Sequence, residues 1–417
     1  MSFPRYPKYK DSGVEWLGEV PEHWEVCALK RIVKMQSGES ITAEGIEETG
    51  EYPVFGGNGL RGYASTFTHD GHFVLIGRQG ALCGNVNYGR GKFWASEHAV
   101  VVSPFKQVET VWLGEMMRTM NLNQYSASAA QPGLSVDLVG RLATVVPPLA
   151  EQSRIAAFLE RETAKIDELV AEQQRLMELL KEKRQAVISH AVTKGINPKS
   201  PMKESGIRWL GEVPAHWEVI QSRRLFHARN EPAKDTDQQL TASQKYGMLP
   251  QTEFVELEGR RVVEIIKGTE SLRHAEPNDF IISLRSFQGG IEWCKLSGAV
   301  TFHYVVLGPV KNVHPPFFAH LFKSIAYIEA LRSTTNLIRD GQDLRYSHFV
   351  QVDLPVVPME EQKEIAEFIS QETANFDALS AEAQRAIDLL QERRTALISA
   401  AVTGQIDVRP LPKSEAA

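Results

Sequence analysis

The chain has 417 residues, 42% of them hydrophobic and 24% charged, and these values exclude a disordered protein and predict two or more domains. The net charge is −6, but most of the acidity lies in residues 358–417, with 6 basic and 11 acidic side chains, so the rest of the chain has room for a local basic face. No apolar run approaches the ~20 residues that span a membrane, and three cysteines without CxxC spacing fit neither a disulfide framework nor a zinc site, so we expect a cytoplasmic protein.

One phrase of the sequence occurs twice, as SGVEWLGEVPEHWEV at residues 12–26 and as SGIRWLGEVPAHWEV at 205–219. The phrase has no nucleophile and no set of metal ligands, and we interpret its His23 and His216 as packing or capping residues. It predicts the opening segment of each half of the chain, anchored by four of the seven tryptophans, Trp16, Trp24, Trp209 and Trp217.

A variable region follows the first phrase. Residues 72–76 and 98–102 have the pattern of strands, and 110–121 that of a helix. Two stretches of this region, FGGNGLRGY at 55–63 and IGRQGALCGNVNYGRGKFWASEH at 76–98, combine glycines with side chains that read base edges or bind phosphates. These loops are candidate DNA contacts, although solvated tight turns would look the same; the side chains are Asn58, Arg61, Arg78, Gln79, Asn85, Arg90 and Lys92.

A second, longer repeat begins at Pro148 and returns at Pro358, 210 residues later. Each copy predicts one helix of ~60 Å, with a heptad stripe typical of a coiled coil. We expect the two copies to pack antiparallel, related by a pseudo-two-fold axis. The residues assigned to the helix pair or to a partner are Leu159, Ile166, Leu180, Val187, Ile369, Phe376, Leu390 and Leu397, with Leu169, Leu176 and Leu379 at the second seam position.

The second variable region differs from the first in sequence. Residues 280–284 and 302–307 predict strands, and 315–332 predict a helix. Three polar loops offer side chains that could contact DNA or could equally be structural: Lys245, Tyr246, Arg285, Gln288, Arg339, Gln342 and Arg345.

The predicted fold is α+β, with two globular α/β domains separated by two long helices that form an antiparallel coiled coil. We assign domain 1 to 1–147, the central helix to 148–198, domain 2 to 199–357, the C-terminal helix to 358–407 and a flexible tail to 408–417. No nucleotide-binding, nucleophilic or metal-binding motif occurs, and GGNGLRG lacks the GK[ST] ending of a phosphate loop. The sequence therefore predicts a scaffold without catalysis or bound metal.

The doubled order of phrase, domain and helix resembles the DNA-specificity subunit of type I restriction–modification systems. The resemblance covers nearly the whole chain and is carried by the phrase, FGGNGLRGY, IGRQG, WASEHAVVV, VPPLAEQSRIAAFL and their second-half relatives. It implies that each domain reads one half of a split, asymmetric double-stranded DNA target, with the helices as a spacer. It also implies two methyltransferase subunits that use S-adenosylmethionine, and restriction subunits that join for cleavage.

Two other interpretations stay open from the residues alone. A coiled-coil assembly adaptor would use the helices but would give no role to the glycine-rich polar loops. A self-contained nuclease or methyltransferase would turn over DNA without any partner protein.

Overall fold

The structure is a computed structural model, and it describes residues 3–80, 82–126, 133–259, 271–284, 286–335 and 344–411. Helices and strands are mixed, as the predicted α+β class requires, and both predicted long helices are present as α3 (Leu149–Lys194) and α9 (Met359–Val402). The chain forms two compact units: unit 1 comprises Met1–Gln174 with Gln384–Ala417, and unit 2 comprises Arg175–Ala383. Each unit therefore contains a part of both long helices.

Unit 1 is built around a sheet with the strand order β4-β9-β7-β8-β5-β6, antiparallel except for a short parallel contact between β5 and β8. Its strands are β1 (Tyr9–Asp11), β2 (Glu19–Pro21), β3 (Glu25–Ala28), β4 (Val33–Ser37), β5 (Tyr52–Gly56), β6 (Gly59–Ala64), β7 (His69–Gly77), β8 (Val86–Ala95), β9 (Ala99–Pro104) and β10 (Ala143–Val146). Its shorter helices are α1 (Thr110–Thr119) and α2 (Val136–Arg141), with 3-10 turns at Leu29–Arg31, Ala43–Gly45 and Leu122–Tyr125.

Unit 2 has a sheet with the order β14-β21-β18-β19 and several two-stranded ribbons. Its strands are β11 (Met202–Glu204), β12 (Glu212–Pro214), β13 (Glu218–Ile220), β14 (Phe226–Arg229), β15 (Leu240–Ser243), β16 (Gly247–Pro250), β17 (Arg273–Ala275), β18 (Phe280–Ile282), β19 (Glu292–Trp293), β20 (Gly298–Val300), β21 (Val305–Pro309) and β22 (Leu354–Val356). Its helices are α4 (Gln251–Glu258), α5 (Ser286–Gly289), α6 (Pro315–Phe322), α7 (Ile325–Ser333) and α8 (Tyr346–Phe349), with a 3-10 turn at Ser222–Arg224.

The cores of the two domains use different side chains. In unit 1, alternate residues of β7 face opposite sides of the sheet, so Val74 and Ile76 pack with Trp112 of α1 while Leu75 packs with Phe93. In unit 2 the core is a cluster of phenylalanines on β14, β18, α6 and α8 whose neighbouring rings lie 5.1–6.0 Å apart, namely Phe226, Phe280, Phe318, Phe322 and Phe349. The helix predicted at 315–332 is two helices, because Ser324 caps α7 by accepting from the backbone of Tyr327.

The repeated phrase forms the same structure in both units. Strands β1 and β2 form a hairpin in unit 1, and β11 and β12 form the matching hairpin in unit 2. The next strand of the phrase, β3 or β13, pairs antiparallel with the last strand before the long helix, β10 or β22. Each variable domain is therefore an insertion between two paired strands of a constant frame.

The frame is connected to the long helix by one carboxylate in each unit. In unit 1, Glu151 accepts hydrogen bonds from His23 Nε2 at 2.7 Å and Trp24 Nε1 at 3.0 Å. In unit 2, Glu361 accepts the same pair of bonds from His216 at 2.7 Å and Trp217 at 3.1 Å. Both histidines therefore bind the side chain of a first-turn glutamate and do not cap the helix backbone, so of the two predicted roles only packing fits, and both Trp24 and Trp217 are fully buried.

The neighbouring glutamine connects the helix to the domain. Gln152 accepts from the backbone N–H of Glu109 at 3.0 Å and donates to Pro147 O at 2.8 Å. Gln362 repeats both contacts, with the backbone N–H of His314 at 2.8 Å and with Val357 O at 2.8 Å. The Glu-Gln pair in the first turn of each long helix therefore holds the phrase with one side chain and the domain with the next.

Unit 1 contains both ends of the chain. The residues after α9 pack on the first hairpin, where Tyr9 Oη donates to Gly404 O at 3.0 Å and Gln405 Nε2 donates to Glu19 O at 2.8 Å. Tyr6 Oη adds a third hydrogen bond to Glu151, at 3.1 Å. Burial and the Glu151 carboxylate raise the pKa of Tyr6, so its hydroxyl stays a donor.

The helix segments within each unit are antiparallel. In unit 1, Arg154 of α3 donates to Arg409 O, and further along α3 Asp167 pairs with Arg394 at 2.9 Å. In unit 2, Arg184 in the last quarter of α3 pairs with Asp377 in the first half of α9 at 2.6 Å. Asp167 and Asp377 occupy equivalent positions of the 210-residue repeat, as do Arg184 and Arg394. The same ion pair is therefore made once in each unit, as the repeat in the sequence predicts.

The structure buries one seam of the predicted heptads and corrects the other. Leu159, Ile166, Leu180, Ile369, Phe376 and Leu397 are buried, while Val187 and Leu390 are partly buried. Leu169, Leu176 and Leu379 are 44%, 43% and 48% exposed, so their assignment to the second seam is wrong. The inward positions next to Leu169 and Leu379 are the following residues, Val170 of α3 and Ser380 of α9, which are both partly buried, and Ile387 of α9 is 4% exposed.

Replacing Glu151 with alanine would test the first-turn carboxylate. The change leaves the buried donors of Trp24 and Tyr6 without an acceptor, and we expect a loss of about 2–4 kcal/mol, since each unpaired buried group costs about 1–3 kcal/mol. Native-state hydrogen exchange of residues 19–28 measures the loss. Glu168→Ala, an exposed carboxylate on the same helix, is the control. Equal protection in both variants would contradict a fastening role for Glu151.

The repeated ion pair is suited to a double-mutant cycle. Asp167→Arg places two cations together, and we expect it to lower the free energy of unfolding by about 0.5–1 kcal/mol, typical of an exposed pair. The double variant Asp167→Arg with Arg394→Asp should recover most of that loss. Urea denaturation of the four proteins gives the coupling energy, and a coupling of zero would show that the pair contributes nothing.

Candidate functional site

Three loops of unit 1 meet where two glycines permit close backbone contact. They are the turn between β5 and β6, the loop after β7, and the turn between β8 and β9. A Cβ on Gly57 would lie 3.3 Å from the carbonyl oxygens of both Gln79 and His98, and one on Gly77 would lie 2.2 Å from Gly57 O. Any larger residue at Gly77 would therefore push the loops apart.

The three loops enclose an open cavity of about 360 Å³, lined by Gly57, Asn58, Arg61, Gln79, Leu82 and His98. Asn85 donates to Asn58 Oδ1 at 3.3 Å, which orients the Asn58 amide. His98 lies 3.2 Å from the carboxylate of its neighbour Glu97. Gln79 is exposed, and Leu82 is 44% exposed although it is apolar. The cavity thus combines amide groups, a guanidinium and an imidazole with one exposed aliphatic side chain.

The other predicted side chains of unit 1 are outside the cavity lining. Arg78 donates to Ser37 Oγ at 2.9 Å, so one of its donors is used within the domain. Arg90, on β8, donates to His72 at 3.3 Å, and burial together with the Arg90 charge lowers the pKa of His72. Lys92 lies 4.8 Å from the centre of the Phe67 ring. Arg90 and Lys92 are exposed cations on one strand, a position suited to phosphate contact.

In unit 2 the predicted side chains lie on two neighbouring segments. Lys245 and Tyr246 occupy the turn between β15 and β16, where the ammonium lies 4.7 Å from the ring centre and 3.7 Å from Glu258. Gln288 is exposed on α5. Gln244 and Gly289, the neighbours of these residues in sequence, line one cleft. This places the turn and α5 on the same side of the domain.

Four further residues of unit 2 were candidate DNA contacts, namely Arg285, Arg339, Gln342 and Arg345. Arg345 precedes α8, and its backbone N–H donates to His348 Nδ1 at 3.1 Å. Arg285, Arg339 and Gln342 lie outside the described residues.

The cleft of unit 2 has a volume of about 1120 Å³ and lies between residues 178–189 of α3 and the domain. Burial and the neighbouring Arg184 lower the pKa of His320 in its wall to about 4, so this imidazole is neutral at pH 7. Lys323 pairs with the buried Glu292 at 2.7 Å. Arg184 and Lys323 of the wall are therefore paired with carboxylates of this chain, and the imidazole of His320 is a weak base.

Among the described residues, no group of three or more His, Cys, Asp or Glu side chains could hold a metal ion. All three cysteines are buried, and burial raises the pKa of Cys294 to about 11, so this thiol is not a nucleophile. Within the same part of the chain, no helix is long and apolar enough to cross a membrane.

Sequence reasoning missed Leu82 and His98 of the cavity and the partners of Glu151 and Glu361. Leu82 had a signal, because an apolar residue between Gly80 and Gly84 in a polar loop is unusual. His98 had none, since its position depends on the meeting of three loops. The contacts of Glu151 and Glu361 had a signal, because both the His-Trp pair and the Glu-Gln pair are repeated in the sequence.

Comparison with known proteins places the chain among related sequences. Residues 21–178 match the family model of the type I restriction modification DNA specificity domain. The chain is 49% identical over 137 residues to the type I restriction enzyme EcoprrI specificity subunit of Escherichia coli, a match that covers 32% of this chain and 34% of that one. It is 20% identical to the putative type I restriction enzyme MjaX specificity subunit of Methanocaldococcus jannaschii, over 94% of this chain and 96% of that one. The stronger match thus spans about a third of the Escherichia coli relative.

Two solved structures share the fold at 14% identity. The HsdS subunit from Thermoanaerobacter tengcongensis aligns with a TM-score of 0.51 over 93% of this chain and 98% of that one. A chain from a study of complex assembly and conformational transition of the type I R-M system aligns with a TM-score of 0.63 over 93% and 99%. The whole architecture is therefore shared with these chains.

Substituting Gly77 tests whether the loops depend on close backbone contact. We expect Gly77→Ala to lower the free energy of unfolding by about 2 kcal/mol or more, because its Cβ overlaps a carbonyl that has no room to move. Gly140→Ala in α2 is the control, since its Cβ would meet only ordinary contacts at 3.5 Å. Thermal unfolding and hydrogen exchange of residues 55–61 measure both. A Gly77→Ala protein as stable as the control would show that the loops are not in contact.

Proposed function

We propose that this chain, which belongs to the family of type I restriction–modification specificity subunits, reads a two-part DNA sequence with its two variable domains. The domain of unit 1 reads one half of the target and the domain of unit 2 reads the other. The long helices set the spacing between the half-sites and provide the surfaces on which methyltransferase subunits dock.

One observation carries the proposal: a duplicated frame presents two domains that differ. The hairpin, the β3–β10 or β13–β22 pairing and the Glu-Gln contacts are the same in both units. The inserted domains differ in sheet order and in core. Equal frames with unequal loops suit a reader of two different half-sites, because base identity is read by side chains rather than by the scaffold.

The catalytic step belongs to the partners in this proposal. The described residues hold no group of three or more His, Cys, Asp or Glu side chains that could bind a metal ion. We therefore assign methyl transfer, with S-adenosylmethionine as the donor, to methyltransferase subunits, and cleavage to restriction subunits where these are present.

Exposed leucines on the long helices mark where those subunits would dock. Unit 1 exposes Leu169 and Leu389 by 44% and 64%, and unit 2 exposes Leu379 and Leu179 by 48% and 52%. These pairs are equivalent in the 210-residue repeat. Two equivalent apolar surfaces support two copies of one partner, since apolar side chains that no seam covers are typical of interfaces.

Methylome sequencing of a host that carries this chain with its methyltransferase tests the proposal directly. We expect one asymmetric motif made of two short half-sites separated by a fixed number of unspecified base pairs. An adaptor that does not read DNA would leave the methylated sequence unchanged when either variable domain is exchanged for another. A continuous methylated motif would contradict the division between two domains.

Aspartate at the exposed leucines separates docking from folding. We expect Leu389→Asp and Leu179→Asp each to weaken the binding of one methyltransferase subunit ~10-fold or more, as for a central interface residue. Native mass spectrometry should then show one bound methyltransferase in each single variant and none in the double variant. Gln391→Asp, also exposed on α9, is the control. Two bound methyltransferases in the double variant would exclude these surfaces.

A further inference from the structure

The three-loop cavity of unit 1 carries an inference that rests on the proposed function and makes it specific. We propose that this cavity reads one adenine–thymine pair of the first half-site through the major groove, with Gln79 on the adenine and Leu82 on the thymine methyl group. The sequence predicts no role for Leu82 and does not show that the three loops converge.

The amide chemistry selects adenine. A glutamine or asparagine amide accepts from N6–H and donates to N7 of adenine, and no other base presents that pair in the major groove. Within the described part of the chain, no residue hydrogen-bonds the exposed Gln79 amide, so both of its groups are available. Asn58 differs, because its Oδ1 already accepts from Asn85 at 3.3 Å. Gln79 is therefore the amide with both an acceptor and a donor to offer.

The apolar side chain selects the partner base. Leu82 is 44% exposed on the rim of a cavity whose other side chains are polar. In the major groove the thymine methyl is the apolar group of an adenine–thymine pair, and it lies on the same groove edge as the adenine N7 and N6, beyond thymine O4. An aliphatic side chain next to a free amide thus matches both halves of one base pair.

Close packing of the three loops makes the cavity suitable for recognising a particular base pair rather than for attracting DNA of any sequence. The backbone contacts at Gly57 fix the positions of Gln79 and His98, so their side chains start from defined points. Arg90 and Lys92 lie outside this cavity, on β8. We assign to these two cations the phosphate contacts that hold the domain on DNA without regard to sequence.

The test combines altered bases with altered side chains, and it uses the complex of the full chain with its methyltransferase. Methylome sequencing first defines the two half-sites. Each adenine of the target is then replaced by 7-deazaadenine, which lacks the N7 acceptor, and each thymine by uracil, which lacks the methyl group. Binding is measured for the wild type, Gln79→Ala, Gln79→Glu and Leu82→Ala.

We expect one base pair of one half-site to respond to both replacements. There 7-deazaadenine should weaken wild-type binding ~10-fold and uracil ~4-fold, the value of one buried methyl group. Both Gln79 variants should lose the response to 7-deazaadenine and keep the response to uracil, while Leu82→Ala should show the reverse. Gln79→Glu matches glutamine in size, so it keeps the test valid if alanine disturbs the loop.

Two controls locate the effect. Gln288→Ala removes an exposed amide from unit 2 and should leave the response of this base pair unchanged. Arg90→Ala should weaken binding to all sequences alike and lower the salt dependence by about one counterion.

Unchanged responses in the Gln79 and Leu82 variants would overturn the assignment, as would a response located at a guanine–cytosine pair. A wild-type complex that methylates no two-part motif would instead refute the proposed function itself, so the two failures are distinguishable.

Discussion

The architecture depends on a carboxylate in the first turn of each long helix. A helix N-terminus favours a negative charge, but a carboxylate that is largely removed from water also needs donors. Glu151 and Glu361 obtain them from the His-Trp pair of the repeated phrase. These hydrogen bonds attach the repeated phrase to the helix, while the adjacent glutamine attaches the variable domain to the same turn of the helix. Three segments far apart in sequence meet at two consecutive side chains.

This arrangement explains how the two halves vary without losing the frame. The phrase and the long helix repeat at different offsets, 193 and 210 residues, because the domain between them has a different length in each half. The domain is connected to the frame at both ends by two paired strands. Its length and core therefore affect neither the glutamate contacts with the His-Trp pair nor the helix pairing. Loops at the far side of such an insertion are free to differ, which is what discrimination between two half-sites demands.

The sequence predicted the elements with strong periodicity and the order of the repeat. The long helices, the buried heptad seam and the main strands followed from spacing alone. The second seam could not be predicted from spacing. Leu169 is more hydrophobic than Val170 and so gives the stronger sequence signal, but the structure partly buries Val170 instead. The partners of Glu151 were beyond such reasoning, since His23 is 128 residues away. The cavity could not be predicted, because it forms where three loops meet at Gly57 and Gly77. The residue types of Arg78 and Gln79 predict the same role for both, but only Gln79 lines the cavity.

Charge pairing indicates how affinity and specificity are divided. Arg184 and Arg394 are paired with aspartates of the opposite helix, and Lys323 with a buried glutamate, so these cations are compensated within the chain. Phosphate attraction needs uncompensated cations, whereas an amide and an aliphatic side chain discriminate bases without net charge. A chain of net charge −6 is therefore better suited to choosing a sequence than to binding DNA strongly. In the proposed function, we therefore assign most of the electrostatic affinity for DNA to the partner subunits and the choice of sequence to this chain.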